Sequence, residues 1–111
     1  MFVEGRIDDI IIRGGENISP GEIEEVLLDQ PNIRDAAAVG VPDEEWGEVI
    51  IAVVVSRDPE SFSESTIKDF TKEHLRSSRT PDKVIQVDEL PYNETGKLLR
   101  RVIKAEMVKE L

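Results

Sequence analysis

The sequence predicts an α+β fold, in which a small sheet of about three main strands is flanked by three helices and preceded by an N-terminal β-ribbon. Residues 33–41 alternate as a strand does, and residues 49–55 are apolar on both faces, which is typical of a covered central strand. Apolar residues also recur at helical spacing in three segments, which begin near residues 20, 64 and 97. The predicted order of elements is β-α-β-β-α-β-α.

Length and composition indicate one domain with a single modest core, spanning residues 1–111. The chain has no cysteine, which excludes disulfides and cysteine-ligated metals. Its net charge of -10 argues against general nucleic-acid binding. No apolar run approaches the roughly 20 residues of a membrane span, and the N-terminus lacks the apolar core of a signal peptide. We therefore expect a cytoplasmic domain.

The charge is unevenly distributed along the chain. Residues 1–67 carry a net charge of -12, whereas residues 68–111 carry +2. A concentration of cations in the later part indicates that an anionic ligand would be bound there. The alternative is that these cations only form the solvated surface of helices.

Three consecutive features mark the N-terminal ribbon. Residues Gly5 to Asp9 are small or charged and predict a bend in solvent. The β-branched run Ile10–Arg13 predicts a strand, and the pair Gly14-Gly15 predicts a tight turn at its end. Because glycine has no side chain, a ligand can lie close to this turn. The bend, strand and turn together suggest a hinge and a docking surface.

The first helix is predicted from about Pro20 to Gln30. Pro20 suits the first helical position, and Ser19 and Glu22 have the spacing of a capping box. Ile18 is placed to form a hydrophobic staple with the fourth helical residue. The apolar residues of the helix that should face the core are Ile23, Val26 and Leu27.

The middle of the chain predicts two strands and a second helix. In the first strand, one face should carry Ile33, Ala37, Val39 and Val41. The second strand is Val49–Val55, and the helix that follows should run from about Glu64 to Arg76, with Ser63 as its N-cap. The helix residues expected to face the core are Ile67, Phe70, His74 and Leu75.

The C-terminal part should contain a short strand, a loop and the last helix. Val84–Val87 is the strand, Leu90–Gly96 is the loop, and the helix should begin near Lys97. Its core-facing residues would be Leu99, Val102, Ile103 and Met107.

The pair Gly96-Lys97 is the strongest chemical signal in this part. At a helix start, free N–H groups and an ammonium would together form an anion site. A nucleotide-binding P-loop is excluded, because that motif needs glycine where Pro91 stands and serine or threonine where Leu98 stands. The alternative is an ordinary surface lysine.

Two segments together resemble the C-terminal domain of AMP-forming acyl-CoA synthetases, which are adenylate-forming ligases. The first follows the family pattern G-R-x-D-D-x-I-x-x-x-G-x-x-I-x-x-x-E-I-E, and its matching residues are Gly5, Arg6, Asp8, Asp9, Ile11, Gly15, Ile18, Glu22, Ile23 and Glu24. The second is P-x-x-x-x-G-K, from Pro91 to Lys97. Between them, Val41 to Glu48 resembles the family's V-P-D-x-x-x-G-E segment. The resemblance covers nearly the whole chain.

The resemblance implies a lid that rotates between two half-reactions. In the family, ATP and a carboxylic acid first form an acyl-adenylate, and a thiol then displaces AMP. The family's lysine implies that Lys97 is the catalytic residue of the first step, which stabilises negative charge as the carboxylate attacks phosphorus. Asp8 would be the hinge to a missing N-terminal domain, and Arg6 would bind the ribose of the nucleotide. The residues implied to line the passage for CoA or its pantetheine arm are Gly14, Gly15, Glu16 and Trp46.

Further implications of the resemblance concern cofactors and substrate. ATP would arrive with magnesium, bound mainly by the N-terminal domain, and CoA would be the second substrate. Arg79, which stands where many relatives have lysine, is a candidate for a CoA phosphate. The acid is expected to be a fatty or related acid, and the chain alone is expected to be inactive.

Several alternatives remain open from the sequence. The same lid occurs in ligases that load a carrier protein, and an acidic N-terminal face would also suit a non-catalytic interaction module. Trp46 would equally serve as a core or loop plug, and Asn17 either contacts substrate or caps the turn. His74 is expected to be a helix-face or core residue, and the acidic run 43–45 a solvated loop rather than a magnesium site.

Overall fold

The computed structural model of the protein describes residues 10–75 and 79–110. These residues form a three-stranded sheet with helices on both faces and a short antiparallel hairpin packed against it. The predicted α+β fold is confirmed. In chain order, the elements are β1 (Ile11–Arg13), β2 (Glu16–Ile18), α1 (Pro20–Leu28), β3 (Ile33–Asp43), β4 (Gly47–Ser56), a 3₁₀ turn (Pro59–Ser61), α2 (Glu64–His74), β5 (Lys83–Gln86) and α3 (Arg100–Glu110).

Strand β4 is the centre of the sheet. It pairs antiparallel with β3 and parallel with β5, and the parallel connection passes through α2, as a crossover requires. Every residue from Ile50 to Ser56 is buried, which confirms the prediction of a strand covered on both faces. The hairpin of β1 and β2 forms a separate two-stranded sheet.

A β-bulge near the start of β3 corrects one expectation about its faces. Ile33 lies opposite Ser56 and Asp35 lies opposite Val55, so the register shifts between Ile33 and Asp35. An extra residue on one strand reverses the side-chain alternation beyond it. Ile33 therefore packs on one face, and the residues expected beside it lie on the other: Ala37, Val39 and Val41.

The two faces of the sheet carry separate core layers. The first core layer joins the sheet to the hairpin, α1 and α2 through Ile11, Ile18, Ile23, Leu27, Ile33, Ala36, Ala38, Ile50, Ala52, Val54, Ile67 and Val84. The second core layer joins the sheet to α3 through Ala37, Val39, Val41, Ile51, Val53, Val55, Leu90, Ile103 and Met107. Successive residues of a strand alternate between the layers, because their side chains point to opposite faces.

The first helix begins as predicted but without the predicted capping box. Pro20 occupies its first turn, yet the hydroxyl of Ser19 forms no capping hydrogen bond. Both carboxylate oxygens of Glu22 instead accept hydrogen bonds from Nη1 of Arg79, at 2.9 and 3.1 Å. A charge-assisted bond to a guanidinium is stronger than a bond to a neutral N–H, which explains the exchange. The helix ends at Leu28, two residues before the predicted boundary.

The second helix confirms its predicted start and corrects its core face. The hydroxyl of Ser63 accepts a hydrogen bond from the N–H of Thr66 at 3.3 Å, so it is the N-cap. His74 is exposed rather than buried, and its Nδ1 lies 2.9 Å from the carbonyl oxygen of Phe70. Thr71 is fully buried instead, with its hydroxyl bonded to the carbonyl oxygen of Lys68.

The last helix begins at Arg100, three residues later than predicted. Val102 is 43% exposed, so it does not belong to the core face, whereas Ile103 and Met107 do. Lys97 therefore stands in the preceding loop and not at a helix N-terminus. The expectation of an anion site made of free helical N–H groups beside Lys97 is wrong.

Candidate functional site

The hairpin of β1 and β2 turns through Gly14 and Gly15 alone. Arg13 pairs with Glu16 at the end of the ladder, and both glycines have positive φ, 60° and 82°. Two consecutive positive φ angles are the requirement of a type I′ turn, which matches the twist of a two-residue hairpin. The predicted tight turn is confirmed, and its backbone stands at the surface because both glycines are exposed.

Trp46 lies directly against this glycine turn. The N–H of Gly14 donates to the carbonyl oxygen of Trp46 at 2.8 Å, and the guanidinium carbon of Arg13 lies 4.6 Å from the centre of the Trp46 ring. A Cβ built at Gly14 would lie 3.3 Å from that ring, whereas a Cβ at Gly15 would meet no atom within 4 Å. Gly15 therefore borders open space next to the residue that contacts the Trp46 ring, and Trp46 is 44% exposed rather than a core plug.

Glu16, the third residue predicted near this turn, contacts Arg79. Oε2 of Glu16 lies 3.2 Å from Nη2 of Arg79, and Nη1 of the same arginine bonds Glu22. Arg79 is thus placed beside the turn, as a residue of the same surface, but it has two carboxylates as partners. Arg13 on the neighbouring strand forms two hydrogen bonds with Asp82, at 2.9 and 3.1 Å. These ion pairs fix both strands of the hairpin relative to the sheet.

Lys97 lies in a closed loop between β5 and α3, here called the lysine loop (Pro91–Leu99). Oδ1 of Asn93 accepts hydrogen bonds from the N–H and the hydroxyl of Thr95 and from the N–H of Lys97, at 2.7 to 2.9 Å. The carbonyl oxygen of Lys97 accepts from the N–H of Asn93 at 3.0 Å, and Gly96 turns the chain with a φ of 86°. One network of hydrogen bonds centred on Asn93 therefore fixes the backbone on both sides of the lysine.

The side chain of Lys97 is exposed and forms no ion pair within residues 10–75 and 79–110. Three other cations of the later part differ from it, because each of Arg79, Arg100 and Lys104 pairs with a carboxylate. An ammonium held on a fixed backbone and left facing solvent is suited to an anion that a ligand brings. The geometry therefore supports an anionic partner at Lys97 without any helix N-terminus.

The glycine turn and the lysine loop lie at opposite ends and on opposite faces of the sheet. Trp46 adjoins the first residue of β4, while the lysine loop reaches Asp35, which is opposite Val55 at the other end of β4. Eight residues of strand separate these points, or about 26 Å at ~3.3 Å per residue. The hairpin packs on the first core layer, and Leu98 packs on the second. One rigid body therefore presents two distinct surfaces.

Other predicted site residues fall outside this geometry. Arg6 and Asp8 lie outside the described residues. Oδ2 of Asp43 accepts hydrogen bonds from the N–H groups of Glu45 and Trp46, so this carboxylate caps the loop that carries the tryptophan.

In residues 10–75 and 79–110, no group of three metal-ligating side chains comes together. Nor does any helix there have the length and apolar character to cross a membrane.

Sequence reasoning missed two carboxylates that organise these surfaces. Glu24 is buried, accepts a hydrogen bond from the N–H of Ala38 at 2.9 Å, and pairs with Arg100 of α3. Glu48 accepts from the N–H of Ile12 and from Nζ of Lys104, both at 2.9 Å.

The sequence does contain one indication of the close contact at Glu48, which is the glycine at position 40 within the predicted strand 33–41. A Cβ at Gly40 would lie 2.7 Å from Oε1 of Glu48 and 2.9 Å from Ile11, so only glycine fits there. An isolated glycine within a predicted strand marks such a close approach. No comparable signal in the sequence points to Glu24, because a glutamate on an amphipathic helix is ordinarily exposed.

Comparison with known proteins identifies the family. The chain matches the AMP-binding enzyme C-terminal domain over residues 22–97. The long-chain-fatty-acid–CoA ligase FadD13 of Mycobacterium tuberculosis is 39% identical over 104 residues, which are 94% of this chain and 20% of that protein. The oxalate–CoA ligase of Saccharomyces cerevisiae is 44% identical over 103 residues, which are 93% and 19%. Among solved structures, a Mycobacterium tuberculosis fatty acyl CoA synthetase superposes with a TM-score of 0.90 at 38% identity, over 98% of this chain and 22% of that one.

The chain therefore belongs to the AMP-binding enzyme C-terminal domain family. It spans about a fifth of the length of the CoA ligases that it matches. The resemblance to acyl-CoA synthetases predicted from the sequence is confirmed, and the similarity extends over nearly all of the described fold.

Proposed function

We propose that this chain is the lid domain of an ATP-dependent CoA ligase and that it acts in two successive steps. In the first step a carboxylate oxygen attacks the α-phosphorus of ATP, an acyl-adenylate forms, and pyrophosphate leaves with the electron pair of the broken bond. In the second step the sulfur of CoA attacks the acyl carbon, AMP leaves, and the thiol proton is lost. The domain would rotate between the steps to bring a different surface to the reaction.

The observation that carries the proposal is the position of Lys97. Its ammonium is exposed, its backbone is fixed by Asn93, and it has no ion-pair partner in the part of the chain that the structure describes. A cation placed where charge develops on the phosphate stabilises the transition state more than the ground state. We assign Lys97 to the first step as its catalytic residue, in contact with the attacking carboxylate and the α-phosphate.

The glycine turn is assigned to the second step. The pantetheine arm of CoA is long and thin, and a turn without side chains beside the Trp46 ring would let it pass. Gly14, Gly15 and Trp46 would line this passage, with Glu16 at its border. Arg79 would meet a CoA phosphate by exchanging its present carboxylate partners for the ligand.

The remaining assignments concern groups beyond the described residues. Asp8 would be the hinge and Arg6 would bind the ribose, while ATP with its magnesium and most of the acid would be held by an N-terminal domain. The acid would be a fatty acid, as in the name of FadD13, although the similar oxalate–CoA ligase acts on a much smaller acid. Loading of a carrier protein instead of CoA is the alternative, and assays with free CoA and with a pantetheine-bearing carrier protein distinguish the two.

The test separates the two half-reactions in the full-length ligase that contains this domain. Lys97→Ala should lower the rate of acyl-adenylate formation by about 10²–10³, because one preorganised donor to the developing charge is removed. Thioester formation from supplied acyl-adenylate should change by less than about threefold, since Lys97 would face away from the reaction in that step. Both rates are measured in single-turnover experiments.

Two controls define the outcome. Arg101→Ala removes another exposed cation, four residues after Lys97 in α3, and should leave the rates of both steps unchanged. The 111-residue chain by itself should catalyse no ATP–pyrophosphate exchange, because the nucleotide and acyl pockets would lie in the other domain. Equal losses in both steps for Lys97→Ala would refute the assignment of this lysine to adenylation.

A further inference from the structure

Tyr92 joins the lysine loop to the edge strand of the sheet. Its hydroxyl donates a hydrogen bond of 2.5 Å to Oδ2 of Asp35 in β3. Oδ1 of Asp35 accepts from the N–H of Ala36 at 2.9 Å, so both carboxylate oxygens are engaged. Asp35 also stands at the β-bulge, where the backbone departs from the regular ladder. The contact therefore joins a defined point of the sheet to the loop that carries Lys97.

The lysine loop is otherwise closed on itself. Tyr92 pairs with Leu98 in an isolated β-bridge, and the N–H of Leu99 donates to the carbonyl oxygen of Pro91 at 3.0 Å. The bonds of Asn93 described above also remain within the loop. Among the described residues, the bond from Tyr92 to Asp35 is the one side-chain hydrogen bond that connects this closed loop to the sheet.

Apolar packing alone would hold the loop less exactly. Leu90 and Leu98 pack on the second core layer before and after the loop tip. Such contacts are non-directional and permit small rotations of a rigid hairpin, whereas a hydrogen bond fixes a direction as well as a distance. Because Tyr92 and Lys97 belong to the same closed hairpin, fixing the Tyr92 side chain at its base also fixes the backbone from which the Lys97 side chain extends.

The phenol is protonated under all ordinary conditions. The Tyr92 side chain is 46% exposed, yet desolvation of its hydroxyl, followed by the hydrogen bond to the Asp35 carboxylate and by that negative charge, raises the pKa of Tyr92 to about 12. The hydroxyl therefore remains a donor throughout the physiological pH range.

We propose that Tyr92 and Asp35 are positioning residues for the adenylation step, which hold the lysine loop so that the Lys97 ammonium meets the reacting carboxylate and phosphate. The inference rests on the proposed role of Lys97 and extends it to two residues that do not touch the reacting atoms. Misplacement of a catalytic group by about 1 Å can cost 10²-fold in rate, so a loop that is free to tilt is expected to be slow.

The test compares Tyr92→Phe, Asp35→Ala and the double variant in the full-length ligase. Tyr92→Phe removes only the hydroxyl and leaves the ring in place. Each single variant should lower acyl-adenylate formation about tenfold, and the double variant should be no slower than Asp35→Ala, because all three lack the bond between Tyr92 and Asp35. Thioester formation from supplied acyl-adenylate should stay within about twofold of wild type. Asp35→Asn, which keeps a polar partner for the hydroxyl, should recover part of the lost rate.

A second comparison shows whether the pair acts through the lysine. In a Lys97→Ala background, Tyr92→Phe should cause no further loss of adenylation. Equal losses in both half-reactions, together with a lower melting temperature, would mean that the pair only stabilises the fold, and this would overturn the inference. An unchanged adenylation rate for Tyr92→Phe would overturn it as well.

These results also separate the inference from the function on which it rests. If Lys97→Ala leaves adenylation intact, the proposed function fails. If Lys97→Ala abolishes adenylation while Tyr92→Phe does not change it, only the positioning role fails.

Discussion

The glycine turn and the lysine loop are both tight turns on one sheet, yet they are built by different means. Gly14 and Gly15 form a turn with no side chains, supported from outside by the Trp46 ring. The lysine loop depends on a side chain, since Asn93 bonds three groups of its own loop. The first arrangement leaves an exposed turn without side chains. The second fixes the backbone that carries one exposed cation.

The two regions also differ in how they are attached to the domain. The hairpin is held by buried Ile11 and Ile18 and by ion pairs whose carboxylates are partly exposed, where Arg13 meets Asp82 and Arg79 meets Glu16. The chain after the lysine loop is held from the interior, because Arg100 pairs with the buried carboxylate of Glu24. Electrostatic support at a surface is weaker than support by a buried pair whose loss leaves a charge uncompensated. We therefore expect removal of the Glu24–Arg100 pair to lower the free energy of unfolding more than removal of an ion pair of the hairpin.

The largest expected effect tests that interior support. Glu24→Ala should lower the free energy of unfolding by about 3 kcal/mol, because the N–H of Ala38 loses its acceptor and Arg100 loses a carboxylate. Glu24→Gln should lose less, since it keeps an acceptor, and the exposed neighbour variant Glu25→Ala should change stability by under ~0.5 kcal/mol. Urea unfolding of the chain measures all three. A loss for Glu24→Ala no larger than for Glu25→Ala would contradict the stated difference between the two attachments.

The next effect tests the smooth surface of the glycine turn. In the full-length ligase, Gly15→Leu should slow thioester formation about 10²-fold, because a side chain there would enter the path of the pantetheine arm. Acyl-adenylate formation should remain near wild type, which is the reverse of the pattern for Lys97→Ala. Gly15→Ala is the matched control: it carries the same positive-φ strain with far less bulk and should lose much less. Unimpaired thioester formation in Gly15→Leu would remove this residue from the thiol path.

The smallest effect is a pH dependence that belongs to the lysine loop alone. The pKa of Tyr92 is raised from 10.0 to about 12 in the folded protein, so the folded state keeps a proton that the unfolded state has lost between these values. Stability should therefore fall as pH rises from 10 to about 12, by an amount that Tyr92→Phe does not show. Parallel urea unfolding of both proteins across this range measures the difference. An identical pH dependence of stability in the wild type and in Tyr92→Phe would mean that the pKa of Tyr92 is not raised in the folded protein.

Local patterns in the sequence predicted most of the architecture. The apolar run of β4, the glycine pair and the Pro20 and Ser63 helix starts depend on neighbouring residues, and each was placed correctly. The predicted capping box at Ser19 failed because Arg79, 57 residues after Glu22, competes for the same carboxylate. The start of the last helix was misplaced because the side chain of Asn93 and the bridge from Tyr92 to Leu98 keep the chain in a closed loop up to Leu99.

The folded structure explains part of the uneven charge distribution of the sequence as ion pairs between its two parts. Within the described residues, several cations of the later part pair with acids of the earlier part: Lys68 with Glu64, Arg79 with Glu16 and Glu22, Arg100 with Glu24, and Lys104 with Glu48. Part of the charge asymmetry that suggested an anionic ligand thus joins the two parts of the fold. Lys97 differs from these cations in having no such partner within the described residues.

The sequence by itself determined the order of the helices and the main strands, the family and the two segments to which we assign chemistry, because periodicity, turn residues and spaced motifs are properties of neighbouring positions. The second strand of the hairpin, Glu16–Ile18, is absent from the predicted order. Only the tertiary structure decided that Trp46 backs the glycine turn, that Glu24 and Glu48 are interior anchors, and that Tyr92 reaches Asp35. These contacts join residues that are separated by 14 to 76 positions in the sequence. The contact at Asp35 also depends on the β-bulge, which determines the face of the sheet on which this side chain lies. No local sequence pattern encodes either property.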